Sequence, residues 1–453
     1  NGSIYNMNND IVKFIDSRKF SRFDTNLVIL GVFLITFTGY AAPAYGSIIP
    51  MLFKEWADLN WDQLGYVGSL SEFGSLFGAL VCSVISRRFG IKRVLITTVM
   101  IFCIGTFSQA FAPTINIFAI LRFIAGFGFG GVIPLVLSLL SEYSPKTSKS
   151  KSVATALCGN QFGAIIASFV AIYVTTQFGQ WRPVFWLGFI PVLLLPYIIK
   201  TMPESALFML KNKDVEGLKR VLSRIDANYA SSINIEESVN DFTVKKESNK
   251  VYYKDLFSKK YALVSILACV IAIMGLLFIN GVIVWLPGVM TNAGYAIGSS
   301  IAFTIFLCTG TVVGAIFWGS VADKKGFIVL MPSIYFIGSG CLILMGVKST
   351  IVVLYILITL VGFFLFAAHS LVNAFIAQHY PHDLRTVAIG LPNSLGRIGG
   401  LLGPALGGLL MANQFSVMGW FMVFAGTGLI AAVSFVLINL QTRKLMNQLT
   451  DYA

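Results

Sequence analysis

The chain has 453 residues, 56% of them hydrophobic and only 12% charged. That is too little polar surface to keep a chain of this length in water, which excludes an ordinary soluble domain. The formal net charge of +13 comes without the basic-aromatic surface pattern of a nucleic-acid binder, so no nucleic-acid partner is expected.

The apolar residues fall in blocks of about 20, the length that crosses a hydrocarbon core of about 30 Å. In chain order the spans are placed at 26–50, 62–86, 93–111, 115–140, 152–176 and 183–201, then at 262–286, 298–322, 328–347, 351–378, 386–411 and 417–440. The expected fold class is an all-α polytopic membrane protein with twelve transmembrane helices in two pseudo-symmetric six-helix bundles. The expected division is a cytoplasmic N-terminal segment 1–25, a bundle 26–201, a cytoplasmic linker 202–260, a second bundle 261–440 and a cytoplasmic tail 441–453. Most Lys and Arg lie in the termini and the loops after even-numbered spans. The exceptions are Lys54, Arg182 and Lys348 on the other side and Arg122 and Arg397 within spans. The positive-inside rule then puts both termini in the cytoplasm; the cell (inner) membrane is the expected location, with the lipid bilayer as its surroundings.

The first span carries "FTGYAAPAYGSIIP", residues 37–50, with small residues, a proline and a Tyr-Gly pair but no charge. Further along, a repeat emerges. Gly78-Ala79-Leu80 recurs as Gly314-Ala315-Ile316, and at the same offset of 236 residues Gly90 meets Gly326, Gly126 meets Gly362 and Pro145 meets Pro381. A duplicated six-helix unit is the arrangement of transporters that rock two bundles about a central site. Between the halves, "ESALFMLKNKDVEGLKRVLSRI" has helical apolar spacing with charge outside. It reads as a short amphipathic helix in a tether that lets the bundles move, with a regulatory binding site as the other reading.

Charged and polar residues inside spans each need a partner or a wet cavity. Arg397 lies about 11 residues from its helix end, roughly 16 Å deep, among Gly396, Gly399, Gly400 and Gly403. Its fork of N–H donors suits a carboxylate; a structural Arg capping carbonyls or paired to Glu72 is the other reading. At the offset of 236, Arg397 corresponds to Gln161, and "CGNQFG" sets Asn160 beside it at similar depth. These two suit a central site or plain interhelical hydrogen bonding. Glu72 sits near mid-membrane and suits a proton carrier, a protonated hydrogen-bonder or a partner of an Arg. His369 is a packing residue or a ligand contact. Among aromatic residues, Tyr40, Tyr45 and Trp285 are the candidates to shape a ring pocket, with Phe73 and Phe162 near the depth of Arg397. The six cysteines lie within spans with no CxxC pair, and His379 and His382 lack metal-ligand companions. Neither disulfide, metal nor cofactor is expected.

"GALVCSVISRRFGIKR" and "GAIFWGSVADKKG" resemble the loop signature of the major facilitator superfamily, an Asp-Arg/Lys-x-Gly turn joining helices 2–3 and 8–9. "RFIAGFGFGG" resembles its fourth-helix Arg-Gly motif. Within that superfamily, "LLSEYSP", "WRPVFWLGFIPVLLLP", "WLPGVM" and "LGRIGGLLGPALGGLL" together resemble the aromatic acid:proton symporter family of benzoate/4-hydroxybenzoate-type transporters. The resemblance implies import of a small carboxylate with protons. It gives functional weight to Arg122, Glu142, Arg385 and Arg397, with Arg122, Glu142, Arg385 and Asp323 as gating residues; ordinary solvated charges are the other reading. The sequence departs from the pattern at Ala41, where the family's first helix has Asp, and at Arg87, where the loop motif has Asp. The second copy keeps its acid, Asp323.

The expectation is a secondary transporter, not an enzyme, that moves a small organic and aromatic carboxylate by alternating access. Its partners are that carboxylate, protons and the bilayer, and the expected assembly is a monomer. A ligand-binding membrane sensor, an uncoupled facilitator and a multidrug exporter are the alternatives. Ala41 has three readings: an uncoupled facilitator, proton carriage through Glu72, or a substitution introduced to hold one conformation.

Overall fold

A computed structural model of the chain describes residues 10–56, 58–226, 229, 235, 239, 253–258 and 261–450. Its described residues form twelve helices long and apolar enough to cross a membrane. They are α1 (Arg22–Glu55), α2 (Trp61–Phe89), α3 (Ile91–Phe111), α4 (Ile115–Tyr143), α5 (Lys149–Gln177) and α6 (Arg182–Thr201), then α7 (Ala262–Asn292), α8 (Ile297–Ala322), α9 (Phe327–Leu344), α10 (Ile351–His379), α11 (Val387–Ala412) and α12 (Val417–Gln441). Each predicted span finds its helix, and several helices run on past the apolar stretch by one or two turns. Those extensions are stabilised at their ends. The Asp24 carboxylate accepts the Ser21 N–H at 2.8 Å, and Gln63 Oε1 accepts the Asn60 N–H at 3.2 Å. Both are the reciprocal half of a capping box.

Glycine sets how closely the helices approach, because a backbone without Cβ lets a facing carbonyl come into contact. In the first bundle, a Cβ at Gly74 or Gly78 would collide with the Phe123 or Phe127 carbonyl of α4, and one at Gly126 with the Ser71 carbonyl of α2. In the second bundle, Gly310, Gly314 and Gly362 stand in the same way against the Thr359, Phe363 and Leu307 carbonyls. All three contacts repeat at the 236-residue offset, both partners included. The duplication read from the sequence is therefore a duplication of packing: α2 on α4 in one half, α8 on α10 in the other.

The turns that end α2 and begin α9 repeat as well. Gly90 has φ 91° and Gly326 has φ 82°, a backbone region in which a side chain would be strained. The first turn has an added fastening: the Glu204 carboxylate accepts Ile91 N–H at 2.7 Å and Lys92 N–H at 3.1 Å, closing the N-terminus of α3. This is a favourable place for an anion.

Glu204 belongs to the segment expected to be a tether, and here the structure differs. Residues 202–225 fold into two short helices, Ala206–Lys211 and Val215–Ile225, laid on the first bundle. Leu210, Leu218 and Leu222 share a core with Ile11 and Ile15 of an N-terminal helix, Asp10–Ser17. Tyr143 donates to the Glu204 carbonyl, and Arg18 grips Asp24 with both terminal nitrogens at 2.6 Å while also donating to the Tyr143 carbonyl at 2.8 Å. The amphipathic pattern was a docking face. Most of the remaining linker, 227–252, lies outside the described residues.

The two bundles meet along α1–α7, α2–α11 and α5–α8. By chain alternation one face of the molecule holds the start of α1 and the end of α12 (the terminal face), and the other is the distal face. The described contacts between bundles sit in the distal half. Gly46 packs on the Val284 carbonyl, Gly65 on the Pro404 carbonyl and Gly298 on Thr176, with the Trp61 and Trp285 rings 5.9 Å apart. Ser69 Oγ donates to the Leu401 carbonyl at 2.6 Å. Nearer the terminal face the seam opens: Gly390 has free space where a side chain would be, and Asn393 and Ser394 are exposed.

Candidate substrate site at the seam of the two bundles

Where the seam begins to open, polar side chains from four helices come together. Arg397 on α11 reaches across the bundle boundary and donates from Nη1 to Ser75 Oγ of α2 at 3.1 Å. Glu72, one turn back on the same face of α2, lies within electrostatic range of both Arg397 and Arg122. Its Oε2 and the side-chain amide of Asn280 on α7 flank the bare backbone of Gly400. Arg122 on α4 is 3% exposed, donates from Nε to the Val67 carbonyl at 3.3 Å, and sets its guanidinium 4.0 Å from the centre of the Tyr45 ring.

The local reasons are legible. A guanidinium buried on α4 needs compensation, and Tyr45 supplies a π face while Glu72 supplies charge. Gly399 and Gly403 let α11 lie directly on the Ile273 and Leu277 carbonyls of α7, and Gly400 leaves room beside Arg397 for Glu72 and Asn280. Two guanidiniums face one carboxylate, so the group carries an excess positive charge in a low-dielectric seam. Such an arrangement suits an anion, and a planar fork matches a carboxylate's two oxygens.

Arg397, Glu72 and Arg122 are thus brought together. Other expected residues lie elsewhere. Tyr40 is 2% exposed and donates its hydroxyl to the Val184 carbonyl of α6 at 2.5 Å. Tyr45 is fully buried and donates to the Leu64 carbonyl at 2.6 Å. Trp285 is fully buried and donates to the Pro404 carbonyl at 2.7 Å. These three are packed and hydrogen-bonded in the interior rather than set on the cavity surface. Tyr45 acts on the site indirectly, as the platform under Arg122, and Trp285 ties α7 to α11. Phe73 and Phe162 keep exposed ring faces. Asn160 is exposed and Gln161 half-buried on α5, whose backbone at Asn160 lies against Gly39 of α1. Ala41 is buried in the core of the first bundle. His369 packs against Gly275 on the face of α7 that looks toward α9 and α12, not toward α11.

Of the expected gating residues, Glu142 accepts hydrogen bonds from Ser205 Oγ at 2.8 Å and Leu207 N–H at 2.7 Å, fastening the linker to its own bundle. The Nε of Arg385 is buried without a partner among the described residues. The side chain of Asp323 lies outside the described residues. Sequence reasoning missed Ser75 and Asn280. A signal existed for both: Ser75 follows Glu72 at i+3, and Asn280 interrupts the apolar run "GLLFINGVIVWLP". No group of His, Cys, Asp and Glu arranged to hold a metal occurs among the described residues.

Residues 28–404 match the family model of the Major Facilitator Superfamily. The chain belongs to that superfamily. It is 30% identical to the benzoate transport protein of Acinetobacter baylyi over 95% of this chain and 92% of that one. It is also 30% identical to the gentisate transporter of Corynebacterium glutamicum, over 91% and 87% of the two chains. In structure it resembles a D-xylose-proton symporter with a TM-score of 0.72 at 16% identity, covering 91% of this chain and 97% of that one. At that identity the likeness establishes the fold. As a member of this superfamily the chain is a multi-pass membrane transporter, not an enzyme.

Proposed function

We propose that the protein carries a small aromatic carboxylate across the cell (inner) membrane by alternating access, with Arg397 as the anchor and Glu72 as the proton carrier. The observation that supports this most is the position of Arg397, a cation of one bundle inserted against Ser75 and beside Glu72 of the other. A ligand held there touches both rocking bodies, so its binding energy differs between states that open to opposite sides. The names of the relatives, a benzoate and a gentisate transporter among them, agree with an aromatic acid.

With both termini cytoplasmic, as the basic loops imply, the conformation described is closed to the outside and open to the cytoplasm. A carboxylate arriving at Arg397 competes with Glu72 for the guanidinium. Two carboxylates in one poorly hydrated seam repel, and a proton on Glu72 relieves the conflict while Arg122 stays in place. Anion and proton then travel together although the first helix has Ala41 where the family pattern has Asp. The experiment is binding of benzoate, 4-hydroxybenzoate and gentisate in weakly buffered solution with a pH indicator. Uptake of a proton with the bound acid, lost in Glu72→Gln, is expected. Proton uptake that persists in Glu72→Gln removes Glu72 from the role, and acid binding without proton uptake in the parent chain makes the protein an uncoupled facilitator.

A further inference from the structure

Away from the seam, the second bundle contains a small pocket, mostly apolar with a few polar side chains, that the transport site does not use. It lies between α7, α9, α10 and α12, lined by Gly275, Tyr335, Leu365, His369, Thr427 and Gly428 among others. It offers about 10 Å³ of room to the centre of a water-sized sphere. One water needs about 10–15 Å³ by that measure, together with two to four polar partners.

The partners are present. Tyr335 is 2% exposed and Ser339 fully buried, yet Tyr335 Oη and Ser339 Oγ have no hydrogen-bond partner among the described residues. His369 Nδ1 is buried and equally unpartnered. A buried polar atom left without a partner is costly; Tyr335 and His369 line the pocket, and Ser339 Oγ reaches it beside Gly428. Glycines from two helices make the space. A methyl on Gly275 would strike His369 Nδ1, and a methyl on Gly428 would land on Ser339 Oγ. Directly before His369, α10 makes a π-helical turn over Gly362–Phe366, a local widening that often marks a functional position.

We infer that this pocket binds one ordered water molecule, held by Tyr335 Oη, Ser339 Oγ and His369 Nδ1, which joins the peripheral helix α9 to α10 beside the π turn. Among the described residues that line the pocket, Tyr335 is the other titratable side chain and none is a carboxylate, so the ligand is neutral water rather than an ion. The water makes α9 and α10 move as one body behind α7, whose opposite face packs on α11 and carries Asn280.

The test uses the full chain in lipid nanodiscs. A structure at a resolution that shows ordered water is expected to have a single peak within hydrogen-bond distance of all three atoms, and Gly428→Ala is expected to lose it. In parallel, thermal unfolding of Tyr335→Phe, Ser339→Ala and the double variant forms a double-mutant cycle. Coupling through one shared water makes the losses non-additive, the double variant falling little further than the worse single one. A dry pocket in the parent chain, or two single losses that simply add, overturns the inference.

Discussion

Arg397 of the second bundle and Ser75 of the first are hydrogen-bonded at 3.1 Å across the boundary between the two halves. The bond is made at the level where the seam stops being closed and starts to open. A ligand that took Arg397 from Ser75 would act on the contact between the two bundles, which is where binding energy can select between conformations.

Replacing Arg397 tests the anchor. Arg397→Gln loses a charge-assisted contact worth about 1.5–3 kcal/mol, so affinity for an aromatic carboxylate should fall roughly 10- to 100-fold. Arg397→Lys keeps the charge but loses the fork, and its loss should be only partly smaller. Calorimetric titration with benzoate measures both. Equal affinities for parent and Gln forms would leave Arg397 a structural residue.

The position of Ala41 yields a rescue experiment. Glu72→Gln should abolish accumulation driven by a pH gradient, and adding Ala41→Asp to that variant should restore part of it, because the family pattern has its acid there. Vesicle uptake of a labelled aromatic acid reads the outcome. Failure of the second change to restore any accumulation would show that position 41 cannot serve as a coupling site in this chain.

The paired glycine contacts predict symmetric damage. Gly78→Val and Gly314→Val each push a side chain into a facing carbonyl, and each should cost about 1–3 kcal/mol through overpacking. Both should lower the unfolding temperature in nanodiscs, by similar amounts. An unfolding temperature unchanged in either variant would contradict the packing described.

The docked linker predicts a local effect. Glu204→Ala removes the carboxylate that closes the N-terminus of α3, a cap of about 0.5–2 kcal/mol. Limited proteolysis should then cut within 202–225 faster than in the parent chain, with the twelve helices still folded by circular dichroism. Unaltered cleavage would mean that the apolar face and the bonds to Glu142 hold the segment without Glu204.

Much of this architecture was legible because its causes are local and periodic. Apolar runs of spanning length gave twelve helices, and the 236-residue offset that linked Gly78 to Gly314 and Gly126 to Gly362 turned out to mark matched backbone contacts. Arg397, Glu72 and Arg122 could be singled out because charge in a membrane interior always needs a reason. The aromatic candidates were a different matter. Tyr40, Tyr45 and Trp285 sit in suggestive motifs, but which way a ring points depends on helix rotation, and all three rings spend their polar atoms on backbone carbonyls of neighbouring helices. The amphipathic helix of the linker was legible, but its docking site was not: a helical stripe of Leu210, Leu218 and Leu222 says that something is covered, not what covers it, and the cover includes Ile11 and Ile15 some 200 residues away.

The most direct test of the account is uptake of labelled benzoate, 4-hydroxybenzoate and gentisate into vesicles carrying an imposed pH gradient, with the parent chain beside Glu72→Gln. The parent is expected to accumulate at least one of these acids above its outside concentration when the interior is alkaline, and Glu72→Gln only to equilibrate it. Equal accumulation by both forms would contradict proton carriage by Glu72, and uptake of none of the acids by the parent would contradict the aromatic carboxylate as its substrate.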